Sequence, residues 1–240
     1  YKYLSAEEKL GEVKAGDKFY VTKNDSSIYA FQIGKQTLGE AGFHIICAHS
    51  DSPTFRIKPN AEMTCERGMT KLNTEVYGLL KVERPVLLIP NLAIHFNRQV
   101  NDGVKLSKQK DMLPIIGIVN DELEKGNMLM NLICSELGVQ KNDILDFDLY
   151  LYDVTPACLV GVHDEFISAG RIDDLSMVHA GLAALLADTE TVPETTKVLA
   201  IFDNEETGSQ TKQGAGSPFL ASFIQRIVLA QGETTEDYFR

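Results

Sequence analysis

Two adjacent glutamates that follow an apolar run constrain this chain more than any other feature. The run, 197–202, is mostly apolar and partly β-branched, and it leads directly into Asp203-Asn204-Glu205-Glu206. We predict a buried strand whose carboxyl end, where ligands bind in open α/β sheets, carries both carboxylates. One carboxylate could bind a divalent metal while its neighbour takes a proton from water held there. The alternative is a pair of solvated loop acids.

A histidine follows a second apolar run, 43–48. His49 comes directly after this run, Asp51 lies two residues further on, and Ser52-Pro53 ends the predicted strand. Residues two apart on an extended segment point to the same side, so the Asp51 carboxylate can reach one ring nitrogen of His49 while the other binds a metal. A His-x-Asp pattern is common by chance. Its place at the end of a predicted core strand makes His49 the best ligand candidate among the five histidines.

A third candidate lies at the start of a predicted helix. Leucines at 175, 182, 185 and 186 recur at helical spacing, which predicts an amphipathic or largely buried helix that begins at Asp173 or Asp174. An aspartate at a helix N-terminus is usually a cap or a partner of the helix dipole. Together with His49 and the two glutamates, however, it would complete a set of nitrogen and oxygen ligands that suits zinc, manganese or cobalt.

These residues lie in four blocks that resemble, in the same order, those of the aspartyl aminopeptidase family of two-metal peptidases. The resemblance covers most of the chain. The blocks are AHSDSP (48–53) with RIKP (56–59), NLAIH (91–95), EFI (165–167) with GRIDDL (170–175), and FDNEETGS (202–209).

The resemblance implies a role for each matched residue. His49 would bind one metal, Asp173 would bridge two, and Glu206 would bind the second. Glu205 would be the general base for a water held between the metals, and Asp51 would orient His49. Many members of the wider group have a cis peptide bond just after the bridging aspartate, which directs attention to the Asp173–Asp174 bond.

The family completes its site with a further Asp and a final His, both after the Glu-Glu block. The chain has no histidine after Glu206. We therefore expect these two ligands beyond residue 240, and we interpret the 240 residues as part of a longer protein with segments absent at both ends.

The expected fold class is α/β, with a mixed central sheet flanked by helices and an inserted β-rich domain. The first and second ligand blocks lie far apart in sequence, and strands are predicted at 81–90 and 149–154 between them, with helix in part of 121–137. The resemblance implies that the insertion, 62–157, is a dimerisation domain. Residues 1–61 and 158–240 would then form a discontinuous catalytic domain.

The other histidines have different expected roles. The resemblance associates His95, in the insertion, with the active site of the assembled oligomer. It would be either a substrate or transition-state contact, reaching across to a partner subunit, or an ordinary polar strand residue. His44 and His179 are expected as core histidines, and the family gives His163 no metal role.

Composition and charge restrict the class of protein. Hydrophobic residues make up 44% of the chain, enough to fill a substantial core, and no apolar run is long enough to span a bilayer. The formal net charge of -11 argues against nucleic acid and anionic membranes as partners. The four cysteines lack metal-site or disulfide-framework spacing, which favours a reducing compartment. We therefore predict a soluble, cytoplasmic enzyme.

The predicted function is that of a metal-dependent aminopeptidase that removes single residues from peptide N-termini. It would hold two divalent ions per subunit, zinc first, with manganese or cobalt as alternatives. By resemblance it would form a homodimer that can assemble into a dodecamer. Two alternatives stay open: a related metal-dependent carboxypeptidase or amidohydrolase, and a non-catalytic homologue that serves as an oligomeric scaffold.

Overall fold

The computed structural model describes residues 1–8, 10–65, 69–74, 82, 84–89, 99, 102–103, 105–107, 109–118, 127–234 and 236. The chain forms two compact units. Unit 1 consists of Tyr1–Ser52 and Ala169–Arg240, and unit 2 of Pro53–Ser168. The predicted domain boundaries, after residues 61 and 157, both lie inside unit 2. The roles predicted for the two parts, catalysis and dimerisation, stay predictions.

The elements are numbered in chain order. They are β1 (Lys2–Tyr3), β2 (Lys18–Lys23), β3 (Ser27–Gln32), α1 (Leu38–Ala41), β4 (Phe43–His49), β5 (Phe55–Cys65), β6 (Met69–Thr74), β7 (Ile115–Ile118), α2 (Met128–Leu137), β8 (Leu149–Leu151), β9 (Cys158–Val160), β10 (Phe166–Ser168), α3 (Ile172–Leu186), β11 (Thr196–Phe202) and α4 (Phe219–Ala230). Short 3-10 helices lie at Lys141–Asp143 and Glu205–Thr207.

Unit 1 is built on a mixed sheet with the strand order β1-β2-β3-β11-β4. β11 pairs antiparallel with β3 and parallel with β4. Its residues are apolar on both faces, as a central strand requires, because helices cover the sheet on both sides. The predicted fold class, α/β with a mixed sheet flanked by helices, is confirmed.

Alternate residues of β11 pack into two different cores. Val198 and Ala200 face a core that contains Phe223 and Ile227 of α4. Leu199 lies on the opposite face with Leu185 of α3 and Ile201. Because β11 is held between two helices, the chain that follows it starts from a fixed position.

A glycine lets α3 approach the sheet closely. A Cβ atom at Gly181 would lie 2.7 Å from Cδ1 of Leu199 and 3.1 Å from Cγ2 of Ile46. Gly181 and Leu185 are the buried residues of α3. This contact sets the distance between the helix that starts near Asp173 and the strands that end at the candidate site.

Two expectations about burial are wrong. The run 43–48 forms a strand as predicted, but β4 lies at the edge of the sheet among the described residues, so Ile46 is 40% exposed and His44 is exposed. His179 is also exposed, and so are several apolar residues on the outer face of α3. Neither histidine is a core residue, because α3 packs through one face only and β4 has a strand on one side only in the described part of the chain.

Unit 2 contains an antiparallel sheet with the strand order β7-β6-β5-β8. α2 packs Leu129 and Ile133 against Ile57 and Leu149. The helix predicted within 121–137 is present as α2, and the strand predicted at 149–154 is present as the shorter β8. Of the strand predicted at 81–90, the described residues contribute a single bridge from Leu88 to Ile115. β9 and β10 form a separate, exposed antiparallel hairpin.

Within the described ranges, every helix is too short or too polar to cross a bilayer.

Candidate metal centre

The ends of two parallel strands bring the first candidate residues together. His49, the last residue of β4, is the ladder partner of Phe202, the last residue of β11. The register continues one step further, since the Ser50 N–H donates to the Phe202 carbonyl at 2.9 Å. Because parallel strands end at the same edge of a sheet, His49 lies beside the chain that carries the two glutamates.

Asn204 turns the chain after β11 so that the glutamates point outward. Its backbone is left-handed, with φ 61°, a conformation that asparagine tolerates better than most residues. Asn204 is buried, and its side-chain oxygen accepts a 2.8 Å hydrogen bond from the Thr211 hydroxyl. The short helix Glu205–Thr207 then follows. Sequence reasoning gave Asn204 no role, although an asparagine directly after a buried strand is a usable signal for such a turn.

Three acidic side chains, those of Asp173, Glu205 and Glu206, lie close to the imidazole of His49. Its Nε2 lies 3.3 Å from Oδ1 of Asp173 and 3.8 Å from Oε2 of Glu205. His49, Glu205 and Glu206 each place one donor atom within 4.8 Å of the others. The His49 side chain is 13% exposed whereas that of Asp173 is 85% exposed, so a partly buried nitrogen faces accessible carboxylates. In the described part of the chain, His49, Glu205 and Glu206 form the only group of three or more side chains that could hold a metal ion.

The start of α3 presents its two aspartates in different directions. The Asp173–Asp174 peptide bond is cis, as the family resemblance suggested. Asp173 approaches the His49 ring, whereas Oδ2 of Asp174 accepts the main-chain N–H of His49 at 3.1 Å. Both aspartates have non-helical backbone angles, with ψ 113° at Asp173 and ψ 20° at Asp174, so the regular turns of α3 begin after them. The contact of Asp174 was not predicted, because no local pattern indicates which distant N–H a carboxylate will accept.

Asp51 contacts His49 through its main chain. Nδ1 of His49 lies 3.1 Å from the Asp51 carbonyl oxygen and 3.4 Å from the carboxylate oxygen Oδ1. A carbonyl can only accept, so Nδ1 carries a hydrogen, and in the neutral ring Nε2 has the lone pair that could bind a metal. The expected orienting contact is therefore present, but the nearest atom is the carbonyl oxygen, because the carboxylate is engaged elsewhere. Its oxygens accept the N–H groups of Glu205 at 3.0 Å and Glu206 at 3.1 Å.

The pKa values of two site residues, His49 and Glu206, are raised. Desolvation acts to lower the pKa of His49, but the hydrogen bond to the Asp51 carbonyl and the charges of Asp51, Asp174 and Glu205 outweigh it, so the pKa is raised. Desolvation and then the charge of Glu205 raise the pKa of Glu206. A divalent cation would relieve this repulsion among the carboxylates.

The donor set fits a zinc-class ion. Zinc bonds of about 2.0–2.1 Å in a tetrahedral arrangement place neighbouring ligand atoms roughly 3.3 Å apart. The separation of Nε2 of His49 from Oδ1 of Asp173, 3.3 Å, matches that spacing. One imidazole nitrogen with several carboxylate oxygens also suits manganese or cobalt. Glu205 lies within ligand range as well, so its distance from His49 is compatible both with binding the metal and with acting as the general base.

The expectations for two other histidines, His95 and His163, also concern this site. His95, predicted as a catalytic residue, lies outside the described residues. His163 lies between β9 and β10, where its main-chain N–H donates to Oε2 of Glu165 at 3.1 Å. It has no place in a metal-binding group within the described ranges.

Comparison with known proteins gives consistent matches. Residues 1–80 and 78–240 match the family described as "Aminopeptidase I zinc metalloprotease (M18)". The chain is 48% identical over 265 residues to "Probable M18 family aminopeptidase 2" of Clostridium acetobutylicum, which covers 98% of this chain and 61% of that protein.

Solved structures agree with the fold. "Structure of Chaetomium thermophilum mApe1" is 31% identical with a TM-score of 0.79, over 96% of this chain and 61% of that one. "Structure of S. cerevesiae mApe1 dodecamer" is 24% identical with a TM-score of 0.67, over 96% and 59%, and this likeness shows the fold alone. The chain spans about three fifths, 61% and 59%, of the length of the first curated relatives that it matches.

Proposed function

Because the chain belongs to the M18 aminopeptidase family, whose pattern matches nearly all of it, we propose that the protein is a metal-dependent aminopeptidase that removes single residues from peptide N-termini. Membership of this family confirms the resemblance found in the sequence. The observation that carries the proposal is the convergence of Asp173 and Glu205 on Nε2 of His49, at 3.3 and 3.8 Å. This convergence brings together the ends of β4 and β11 and the start of α3.

The proposed metal is zinc, with two divalent ions per subunit. The family description names zinc, and the nitrogen and oxygen donors support an ion of that class. His49 would hold one ion, Glu206 the other, and Asp173 would bridge them. When bound, such ions polarise the scissile carbonyl and make water more acidic.

Glu205 is the proposed general base. Its carboxylate is 54% exposed and lies within 3.8 Å of the His49 ring, so it can reach a water held at the site. It would accept the proton from that water and pass it to the leaving amine. His49 and Glu206 would hold their positions during this transfer. The proposal assigns the proton to Glu205 because a carboxylate that keeps a metal in place is less basic than a free one.

The proposed substrates are peptides with a free N-terminal amine, and the proposed assembly is a homo-oligomer, a dimer or a dodecamer. The family resemblance of the sequence implies the larger assembly. His95 is proposed as a contact to substrate or to a partner subunit. A cytoplasmic, reducing location is supported by the free thiols of Cys47, Cys134 and Cys158.

Paired peptides test the proposed activity in the full-length protein. A peptide with a free amine and the same peptide with an acetylated amine are incubated with enzyme, and products are identified by mass. We expect release of the first residue from the free peptide only. Loss of the last residue from both peptides would instead identify a carboxypeptidase. No turnover of either, after addition of zinc, manganese or cobalt, would favour the non-catalytic scaffold.

A further inference from the structure

We propose that the Asp51 carboxylate is the positioning group that holds the turn carrying Glu205 and Glu206. Its consequence for catalysis rests on the proposed function, but the hydrogen bonds themselves do not. The family resemblance gave Asp51 a different task, orientation of the His49 ring. In the structure the nearest contact to that ring is the main-chain carbonyl of Asp51, at 3.1 Å.

Both oxygens of the carboxylate are used by the glutamate turn. Oδ1 accepts the N–H of Glu205 at 3.0 Å, and Oδ2 accepts the N–H of Glu206 at 3.1 Å. The Asp51 side chain is 13% exposed, and hydrogen bonds that a carboxylate accepts are charge-assisted and stronger than neutral ones. Asp51 therefore contacts two successive residues through one rigid, planar group.

The turn depends on this contact because its own cap position supplies none. The first N–H groups of a helical turn lack partners within the turn and are usually satisfied by the N-cap side chain. Here the N-cap residue is Asn204, which makes no side-chain cap hydrogen bond. The side-chain oxygen of Asn204 instead accepts the Thr211 hydroxyl. A carboxylate from the chain after β4 takes the place of the local cap.

The arrangement couples the proposed base and ligands to one another. Asp51 is two residues from His49, so the same short segment fixes the imidazole through a carbonyl and the glutamates through a carboxylate. A shift of the turn would move Glu205 and Glu206 together relative to His49. Small errors in the position of catalytic groups reduce rates strongly. Asp51 thus acts on the reaction through the two glutamates.

Asp51→Asn in the full-length protein separates orientation of the His49 ring from positioning of the glutamate turn. The variant keeps the main-chain carbonyl that contacts His49, but its amide can accept only one of the two N–H bonds. We expect amide hydrogen exchange in residues 203–209 to become about tenfold faster or more. Turnover should fall by about 10- to 100-fold, the usual cost of losing a partner behind the metal ligands. KM should change much less than kcat.

Asp188→Asn is the matched control. Oδ1 of Asp188 accepts the Thr191 N–H at 3.0 Å, so this variant removes the same charge and weakens the same kind of bond in an exposed turn. We expect faster exchange only around residues 188–191 and unchanged kcat. Exchange in the β2–β3 hairpin, 18–32, monitors folding of unit 1 in every variant.

Three results decide the proposal. Faster exchange at 203–209 in Asp51→Asn with an unchanged hairpin supports it. Exchange at 203–209 equal to that of the parent protein overturns it, with or without loss of metal. If exchange at 203–209 is faster in Asp51→Asn but the parent protein hydrolyses no peptide, the positioning role is supported and the proposed activity is overturned. Asp51→Ser, whose shorter side chain carries a single oxygen in place of the two carboxylate oxygens, applies the same test if Asp51→Asn does not fold.

Discussion

Nε2 of His49 lies 3.3 Å from Oδ1 of Asp173, although the whole of unit 2 separates the two residues in sequence. The contact depends on β4 ending beside β11 and on α3 packing against both strands through Gly181. Packing in the core of unit 1 therefore positions the residues of the candidate metal centre. We expect substitutions in the site or in that core to alter the centre.

Asp173→Ala should remove bound metal. If Asp173 bridges two ions, its loss deprives each of them of a ligand, and we expect both to be lost together. Metal content is measured by mass spectrometry after dialysis, with Asp188→Asn as the charge-matched control. Retention of one full equivalent would contradict a bridging role for Asp173.

Glu205→Gln should separate proton transfer from metal binding. The amide keeps the shape of the side chain but cannot act as a base, so we expect kcat to fall by about 10²- to 10⁴-fold. Metal content should stay close to that of the parent protein. Retained turnover would exclude Glu205 as the general base, and loss of metal would instead identify it as a ligand.

Gly181→Val should destabilise unit 1. The new side chain would overlap Leu199 and Ile46, and overpacking of this kind typically costs about 1–3 kcal/mol. The midpoint of chemical denaturation is the measurement. Gly11→Ala is the control, because a Cβ there meets nothing within 4 Å. Equal midpoints for the two variants would show that α3 is not held closely against the sheet.

Asn204→Ala should weaken both stability and activity. Alanine is less tolerant of the left-handed backbone at this position, a strain of order 1–3 kcal/mol, and it loses the bond from Thr211. Asn204→Gly also loses that bond but adopts the left-handed backbone freely, so it is expected to be the milder change. Unfolding midpoints and kcat are compared for the pair. A milder effect of alanine would contradict the importance of the turn.

The parts of the fold that depend on local pattern were predicted from the sequence. The apolar runs before His49 and Asp203 form β4 and β11, and helical spacing placed α3 close to its observed limits. The burial of β11 was predicted correctly, but that of His44 and His179 was not, because their exposure depends on which elements pack against β4 and α3. That information lies in the tertiary arrangement.

The candidate site was predicted as a set of residues, but its hydrogen bonds were not. A His-x-Asp pattern indicates that Asp51 and His49 are close. It does not reveal that the Asp51 carboxylate accepts N–H groups from Glu205 and Glu206, 154 and 155 residues away in the chain. The role of Asp174 was missed for the same reason. His95 stays a prediction, because it lies outside the described residues.

Metal content of the full-length protein, purified without chelator, is the most direct test of the central claim. We expect about two divalent ions per chain in the parent protein, loss of metal and of peptide hydrolysis after chelator treatment, and recovery of both on addition of zinc, manganese or cobalt. A protein that binds no divalent metal under any of these additions would contradict the assignment of His49, Asp173 and Glu206 as ligands.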